Sequence, residues 1–508
     1  QRRRRDDYSP GGRAGLRPNR AVTVYCNLLR RAFPDVPLVI GGIEASLRRL
    51  AHYDYRDDEV RRSILLDTRA DVLVYGMGER QVVEVARRLA KGAACSSIPG
   101  TCVLSPEPPA EPHVLLPAFE RVAADKDAFN AAYRGWFREH ANPAGRAVVQ
   151  PHANRFVVQY PPPAPLPPAE LDYVYALPYT RQAHPSCREP VPALEPVRFS
   201  ITSHRGCFGS CTFCSLSAHQ GRIVQWRSEA AIVREAERIA ALPGFKGHIT
   251  DVGGPTANMY GASCPQMKRG RVCPERECVW PRVCPSLRLD LDRHLRLLAA
   301  VGRVPGVKKV TVGTGIRFDL LGDGRYLEQV CRDHVSGQLR IAPEHVAAGA
   351  LRAMRKFAPG EYGRFRDRFR SATRGLRPRL FFVPYFISGH PGTTLDDAVE
   401  LAEHIVKVEK FRVERVQQFT PLPLTPAAAM WHTGRDPFSD RPVYVGRSEP
   451  EQRCQRALLQ LHDPRNFAVA LRLLAQLGRP DLAARVRALW PLLPKCGRTR
   501  PPRPELRG

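Results

Sequence analysis

The stretch HRGCFGSCTFCSLSAHQGR, residues 204–222, places Cys207, Cys211 and Cys214 on one short loop with the spacing Cys-x3-Cys-x2-Cys. This stretch, called the cysteine loop below, follows a strand-like segment and contains glycines that let its backbone curl. A [4Fe–4S] cluster has four irons and commonly takes four cysteine ligands. A loop that supplies three thiolates leaves one iron open. The spacing therefore predicts an iron–sulfur site with an open position, in preference to zinc, which takes four protein ligands in structural sites.

Outward from the cysteine loop, strand and helix patterns alternate as far as residue 425. The candidate strands are 197–203, 247–252, 307–313, 338–342, 379–387 and 414–420. The candidate helices are 228–242, 290–300, 325–335, 346–356 and 394–410, with a less defined helix after Pro426. Six such repeats predict an α/β fold with a partial (βα)6 barrel over residues 196–425, whose chemistry lies at the C-terminal ends of the strands.

The regions on either side have different patterns. Residues 1–100 carry apolar runs followed by glycine loops and helices, which predicts a doubly wound α/β unit. Residues 101–195 are rich in proline and are predicted to be a linker that wraps over its neighbour, interrupted by a short helix. Residues 426–508 are predicted to form a helical C-terminal extension with a basic tail.

Glycines and polar residues follow three of the predicted strands. They are Gly253 and Gly254 after the second strand, Glu344 and His345 after the fourth, and Ser388, Gly389 and His390 after the fifth. Glycines at a strand end expose backbone groups to a ligand, although a plain tight turn is the alternative. The two histidines are candidate proton donors, with a structural role as the alternative for each.

A second group of cysteines, Cys264, Cys273, Cys278 and Cys284, lies in an insertion at residues 260–286. Four thiols this close in sequence indicate a metal site in a chain without a secretion signal. A second iron–sulfur cluster and a structural zinc ion both fit this pattern. The other seven cysteines are scattered, and we interpret them as core or incidental thiols.

The composition excludes a membrane-spanning class, because no stretch reaches the length of apolar sequence that a span needs. Without a signal peptide, the sequence predicts a cytoplasmic protein. The formal net charge is +28, which would attract nucleic acid. Arginine is spread along the whole chain, however, so a general bias towards arginine is the alternative.

The sequence resembles the YgiQ-type radical S-adenosylmethionine (SAM) proteins, a family whose substrate is uncharacterised. The cysteine loop resembles the radical SAM signature Cys-x3-Cys-x-aromatic-Cys, with Phe213 as its aromatic residue. The other similar stretches are IGGIEASLRRLAHYDY (40–55), DVGGPTANMY (251–260), IAPEH (341–345), VPYFISGHPGT (383–393) and the four-cysteine insertion. The resemblance covers about residues 5–470.

The resemblance implies that Cys207, Cys211 and Cys214 bind a [4Fe–4S] cluster, and that SAM binds the fourth iron and is cleaved reductively to a 5′-deoxyadenosyl radical. It implies a low-potential electron donor of flavodoxin or ferredoxin type. Expected SAM contacts are Phe213, Gly253, Gly254, Glu344, Ser388 and Gly389. The superfamily's Gly-Gly-Glu motif reads Gly-Gly-Pro here, so its acidic contact must come from elsewhere.

The N-terminal segment resembles the cobalamin-binding-like domain that precedes many radical SAM barrels. Its first β-α unit is expected to lie before Gln1, so this domain is expected to be incomplete. The base-off motif Asp-x-His-x-x-Gly is absent from the sequence, and cobalamin therefore stays an open alternative.

Two other functions remain open from the sequence. One is a radical SAM methyltransferase or methylthiotransferase that acts on RNA or protein, which the second cysteine group and the basic charge favour. The other is a non-catalytic nucleic-acid-binding protein with structural metal clusters, for which no SAM binding is expected.

Overall fold

The computed structural model describes residues 5–274, 276–410, 412–413 and 416–493 of the chain. Most of the N-terminal arginine run, Cys496 and the predicted basic tail lie outside the described residues. Within these ranges, none of the helices is both long and apolar enough to cross a bilayer.

Residues up to 160 form a mixed sheet with helices packed on both faces. Its helices are α1 (Ala21–Ala32), α2 (Gly42–Leu47), α3 (Ile64–Thr68), α4 (Glu79–Ala90), α5 (Phe119–Ala124) and α6 (Lys126–Glu139). Its strands are β1 (Val39–Ile40), β2 (His52–Asp54), β3 (Glu59–Arg61), β4 (Val72–Val74), β5 (Thr101–Ser105), β6 (His113–Leu115), β7 (Ala147–His152) and β8 (Arg155–Gln159). The strand order is β1-β4-β5-β8-β7-β6, and β2 pairs with β3 separately.

This sheet corrects two expectations. A doubly wound unit would be mostly parallel, but the ladders that involve β5 and β8 are antiparallel, and among the described strands of this sheet only β1–β4 and β6–β7 are parallel. Residues 101–160, predicted as linker, supply four of its six strands. Val148 and Val157 are fully buried because both faces of the sheet are covered. The prolines that flank these strands hid them in the sequence.

Residues 161–433 alternate strands with helices. The strands are β9 (Ser200–Thr202), β10 (His204–Arg205), β11 (Gln225–Trp226), β12 (His248–Ile249), β13 (Asp251–Gly253), β14 (Lys309–Val310), β15 (Gln338–Glu344), β16 (Phe381–Ser388) and β17 (Gln417–Gln418). The helices are α7 (Pro168–Ala176), α8 (Leu216–Gln220), α9 (Glu229–Ala240), α10 (Pro265–Lys268), α11 (Leu291–Gly302), α12 (Arg325–Asp333), α13 (Ala348–Ala353), α14 (Glu361–Ala372), α15 (Leu395–His404) and α16 (Pro426–Thr433).

Most strand pairs of this region are parallel. β9 pairs with β13, β12 with β14, and β15 with β16 and then β17, all in parallel. Only the short β10–β11 pair, at the cysteine loop, is antiparallel among the described strands here. The α/β class predicted from the alternation is confirmed. Helix α14 was missed, because its aromatic residues Phe365 and Phe369 are spaced for burial but lie among many arginines.

The C-terminal region is helical, as predicted. It consists of α17 (Glu449–Leu458), α18 (Pro464–Gln476) and α19 (Pro480–Ala488). These helices pack against α15 through a shared apolar cluster that includes Val399, Phe467 and Leu474.

A buried histidine, His294, lies on α11 inside the main apolar core. Its Nδ1 lies 2.8 Å from the Tyr326 hydroxyl and its Nε2 lies 3.5 Å from the Val252 carbonyl oxygen. Burial lowers the pKa of His294 to about 3, so the folded protein holds the ring neutral.

We expect His294→Gln to reduce the acid sensitivity of the fold. The unfolded chain takes up a proton near the ordinary histidine pKa and the folded chain does not, so stability is lost as pH falls from about 6.5 towards 4, by roughly 1 kcal/mol per pH unit for one such site. Thermal unfolding midpoints between pH 7 and 5 measure this slope. The slope should be shallower in His294→Gln and unchanged in a variant of the exposed His184, His184→Gln. Equal slopes in all three proteins would contradict the prediction.

Candidate active site

The start of the cysteine loop is shaped by a close backbone contact. Gly206 has a φ of +82°, and a Cβ there would lie 2.1 Å from the carbonyl oxygen of Ile223. Its N–H donates to Gln220 Oε1 at 3.0 Å, and the Cys207 N–H donates to the Gly221 carbonyl at 3.1 Å. Position 206 therefore requires glycine for both conformation and space.

We expect Gly206→Ala to disrupt the loop and lower the iron bound by it to less than half. The matched control is Gly221→Ala, because Gly221 has nearly the same φ, +83°, but a Cβ on it would meet no atom within 4 Å. The free energy of unfolding of the control should fall by only about 1 kcal/mol, which is the conformational cost of a non-glycine residue in the left-handed region. Iron analysis after anaerobic purification, together with thermal midpoints, makes the comparison. Equal iron loss in both variants would show that steric contact at Ile223 is unimportant.

The middle of the cysteine loop is attached to two other elements through Thr212. The Thr212 N–H donates to the Met354 carbonyl at 3.1 Å, and its hydroxyl donates to the Ala353 carbonyl at 2.9 Å. The same hydroxyl lies 3.0 Å from His390 Nε2, and the Thr212 carbonyl accepts from the Ala427 N–H at 3.0 Å. The loop is thus fixed to the end of α13 and the start of α16.

Two buried ion pairs flank the thiols of the loop. Arg317 pairs with Asp319 at 2.6 Å, and Lys356 lies 3.6 Å from Glu344. Burial lowers the pKa of Arg317, but Asp319 and two loop thiols raise it by more, so the guanidinium stays charged. Its Nη1 lies 3.0 Å from where a Cβ on Gly209 would be, which brings the cation against the loop backbone.

The sequence interpretation missed Arg317, Asp319 and Lys356. Arg317 and Asp319 follow β14, the third strand of the series, so the rule that chemistry lies at strand ends would have found them. Lys356 stands just after α13, and its rarity in an arginine-rich chain was the available signal.

Burial and nearby cations act in opposite directions on the thiols of the loop. Burial raises the pKa of Cys207 and raises that of Cys214 to about 12, while the nearby cations Arg317 and Lys356 oppose the rise at Cys207. Such cations offset the negative charge of an iron–sulfur cluster held by thiolates. Among the described residues, no three His, Cys, Asp or Glu side chains are grouped to hold one metal ion.

The glycine pair after β13 is explained by close packing. A Cβ on Gly253 would lie 2.4 Å from Thr314 Oγ1, and one on Gly254 would lie 2.5 Å from the His204 carbonyl oxygen. The Gly253 carbonyl also accepts from the Ser203 N–H at 2.7 Å. Packing accounts for both glycines, and their contact with SAM stays a prediction.

The end of β16 offers an unsatisfied polar group beside open space. The Ser388 hydroxyl is buried, and no hydrogen-bond partner for it is found in the described part of the chain. Gly389 has a φ of +74°, and a Cβ there would meet no atom within 4 Å. Glu344 has a φ of +66° at an irregularity in the β15–β16 ladder, a conformation that non-glycine residues adopt rarely and often at functional sites. This strand end has room and a free hydroxyl for a polar ligand.

The two candidate histidines are both buried. His390 is 1% exposed, with Nε2 near Thr212 and Nδ1 2.6 Å from the Pro391 carbonyl oxygen. Burial lowers the pKa of His345 and of His390 to about 3, so both are neutral. Phe213 lies edge-on to the His390 ring at 5.9 Å. These contacts attach His390 to the cysteine loop, and a proton-donor role for either histidine stays a prediction.

The four-cysteine insertion packs directly beside the cysteine loop. Cys278 and Cys284 contact the same small apolar cluster as Cys207. The buried members of that cluster include Phe208 of the loop and Met259 after β13. The structure thus brings the two cysteine groups, separate in sequence, to one place.

A basic groove runs along the outer side of the insertion. Its only acidic lining residue among the described residues is Glu277, which is paired with Arg355. Aromatic side chains of α6 and of the insertion, Phe137 and Trp280, also line it. The lining arginines are Arg134, Arg138, Arg222, Arg276, Arg282 and Arg355. Such a surface suits an acidic partner.

The described residues do not fit a cobalamin-binding unit of the expected kind. The N-terminal sheet is mixed rather than doubly wound, and the base-off histidine motif is absent from the chain.

Comparison with known families defines the class of this protein. Residues 1–200 match the family model described as "Radical SAM N-terminal", and residues 414–500 match a domain of unknown function, DUF3362. A UPF0313 protein of Methanocella arvoryzae is 47% identical over 94% of this chain and 80% of its own length. A UPF0313 protein of Geobacter sulfurreducens is 47% identical over the same shares. This protein is a radical SAM enzyme.

The chain belongs to the UPF0313 family, which includes the YgiQ-type proteins. Among solved structures, it is similar to the radical SAM methyltransferase TsrM from Kitasatospora setae. That similarity has a TM-score of 0.46 and 13% identity, and covers 92% of this chain and 84% of TsrM.

Proposed function

We propose that Cys207, Cys211 and Cys214 bind a [4Fe–4S] cluster and that this protein cleaves SAM reductively. The observation that carries the proposal is the cysteine loop itself, with three thiols held between two buried ion pairs. When bound, the cluster would supply one electron to SAM, which yields methionine and a 5′-deoxyadenosyl radical. The β-α series from β9 to β17 would form the partial barrel typical of this class.

The chain's own residues fix the site around that chemistry. Thr212 and Gly206 hold the loop in position, and Arg317 supplies positive charge against the thiolates. The Ser388 hydroxyl and the open space at Gly389 would accept the polar edge of SAM. The Glu344 carboxylate, held by Lys356, would supply the acidic contact that Pro255 cannot.

The test is anaerobic incubation of the reconstituted protein with dithionite and SAM. We expect 5′-deoxyadenosine to appear by chromatography, in amounts that depend on protein concentration. A protein that binds four irons at the loop and never forms this product would sink the proposal.

We propose further that an acidic one-electron carrier, of flavodoxin or ferredoxin type, docks in the basic groove. Arg138, Arg276 and Arg282 are exposed there and have no carboxylate partner among the described residues. Clusters of one charge sign raise association rates with oppositely charged partners by about 10-fold or more at low salt. The surplus of arginine over carboxylate in the groove is what supports this proposal.

We expect Arg138→Glu/Arg282→Glu to slow reduction by an acidic carrier about 10-fold at low salt. Reduction by dithionite should be unchanged, because that small reductant needs no docking surface. The matched control is Arg364→Glu/Arg370→Glu on α14, which changes the net charge equally. Stopped-flow traces at two salt concentrations make the comparison. Equal rates in both variants would contradict the docking site, and loss of RNA binding by the groove variant alone would favour the nucleic-acid alternative.

A further inference from the structure

The four-cysteine insertion is a closed structural unit with little secondary structure. Antiparallel hydrogen bonds between Ser263 and Arg288, of 3.0 and 2.8 Å, clasp its two ends. Inside the clasp, the helix α10 has only four residues, and Cys264 Sγ accepts from the Met267 N–H at its start. A long segment inside a compact domain that has little secondary structure must be ordered by interactions other than backbone hydrogen bonding.

The four thiols of the insertion lie close to one another in the fold. Cys264, Cys273 and Cys284 all lie within electrostatic range of Cys278. The Cys284 N–H donates to the Cys278 carbonyl at 2.8 Å, which fixes two of the four thiols in one turn. An all-thiolate donor set selects zinc or an iron–sulfur cluster among biological metals.

The position of the insertion favours a cluster over zinc. Zinc has no redox chemistry, whereas an iron–sulfur cluster carries single electrons. Cys278 and Cys284 contact the same apolar cluster as Cys207, so a centre held here lies beside the first site, where a redox group can act.

The insertion lies between the basic groove and the cysteine loop. Arg276, Trp280 and Arg282 of the insertion line the groove. On its other side, Val279 and Cys278 pack in the apolar cluster that also contacts Cys207. A redox centre in the insertion would therefore stand on the path from a docked carrier to the first site.

We propose that Cys264, Cys273, Cys278 and Cys284 hold a second [4Fe–4S] cluster that relays electrons to the cysteine loop. The relay role rests on the proposed SAM cleavage. The presence of a metal site at these four cysteines does not depend on that proposal. One electron leaves the reduced carrier, which is oxidised by one electron, passes through the second cluster and reduces the first by one electron. No proton or bond is transferred in this step.

The first test is metal content. The wild-type protein, reconstituted with iron and sulfide, should hold about eight irons and eight sulfides per chain. A variant without the first site, Cys207→Ala/Cys211→Ala/Cys214→Ala, should keep about four of each and a cluster signal in its low-temperature EPR spectrum after reduction. This result needs no change in the insertion. If that variant holds zinc in place of iron, or no metal at all, the proposal of a second cluster is wrong.

The second test separates the relay from the SAM chemistry. Cys273→Ser/Cys278→Ser should lose about four irons, keep 5′-deoxyadenosine formation with dithionite, and lose at least about 10-fold in rate with an acidic carrier. The matched control, Cys95→Ser/Cys187→Ser, replaces two other partly exposed cysteines and should keep both rates. An unchanged carrier-driven rate would overturn the relay. A wild-type protein with eight irons and no product would overturn only the SAM proposal.

Discussion

Replacing all three loop cysteines, in Cys207→Ala/Cys211→Ala/Cys214→Ala, should reduce 5′-deoxyadenosine formation to background. Each thiolate would hold one iron of the cluster, so the variant has no means of placing the fourth iron beside SAM. The remaining contacts of the loop, above all those of Thr212, do not involve sulfur. The fold should therefore survive, with a thermal midpoint close to that of the wild type.

Three measurements on the same preparations test this prediction together. Iron content should fall by about four per chain, visible absorbance should fall with it, and product should vanish. The Cys95→Ser/Cys187→Ser protein serves as the control for loss of thiols in general. If the triple variant still forms product at a wild-type rate, the first site has been assigned to the wrong cysteines.

Arg227→Met should destabilise the protein by about 2–3 kcal/mol, the largest stability effect we expect from one substitution. Arg227 is 1% exposed, lies 2.5 Å from Glu235 and donates to the Thr202 carbonyl of β9 at 2.9 Å. Its guanidinium also lies over the Tyr175 ring at 4.6 Å. Removal of this cation leaves the buried Glu235 carboxylate with Arg181 as its remaining ion-pair partner among the described residues, and leaves the Thr202 carbonyl of the first strand without this donor.

An exposed ion pair on α14 provides the control for Arg227→Met. Arg364 and Glu361 form a pair one turn apart on the surface, so Arg364→Met should cost at most about 0.5 kcal/mol. Thermal unfolding at neutral pH, followed by circular dichroism, compares the two variants. A fall of several degrees is expected for Arg227→Met, and equal midpoints would show that the buried pair contributes nothing.

The parts of the fold that depend on local pattern could be predicted from the sequence. The alternation from β9 onwards and the C-terminal helices are visible there because each element shows its own periodicity. The six-stranded sheet could not be predicted, because several of its strand pairs join residues far apart in sequence. β5 pairs with β8 across the whole of α5 and α6.

The candidate site likewise has one part that could be predicted from the sequence and one part that could not. The three loop cysteines stand within eight residues and were found from their spacing. Arg317 and Lys356 reach the loop only through tertiary packing, from the ends of other β-α units. The nearness of the two cysteine groups has the same origin, since it depends on an apolar cluster assembled from several segments.

The contrast between the two cysteine groups has a consequence for how the protein matures in a cell. Backbone groups at the end of α13 and the start of α16 hold the cysteine loop through Thr212, so its shape is set before iron arrives. The insertion has a clasp at Ser263 and Arg288 and a small apolar cluster on one side. Under iron starvation, the newly made chain would keep a shaped loop, while the insertion would become the segment that proteases cut first.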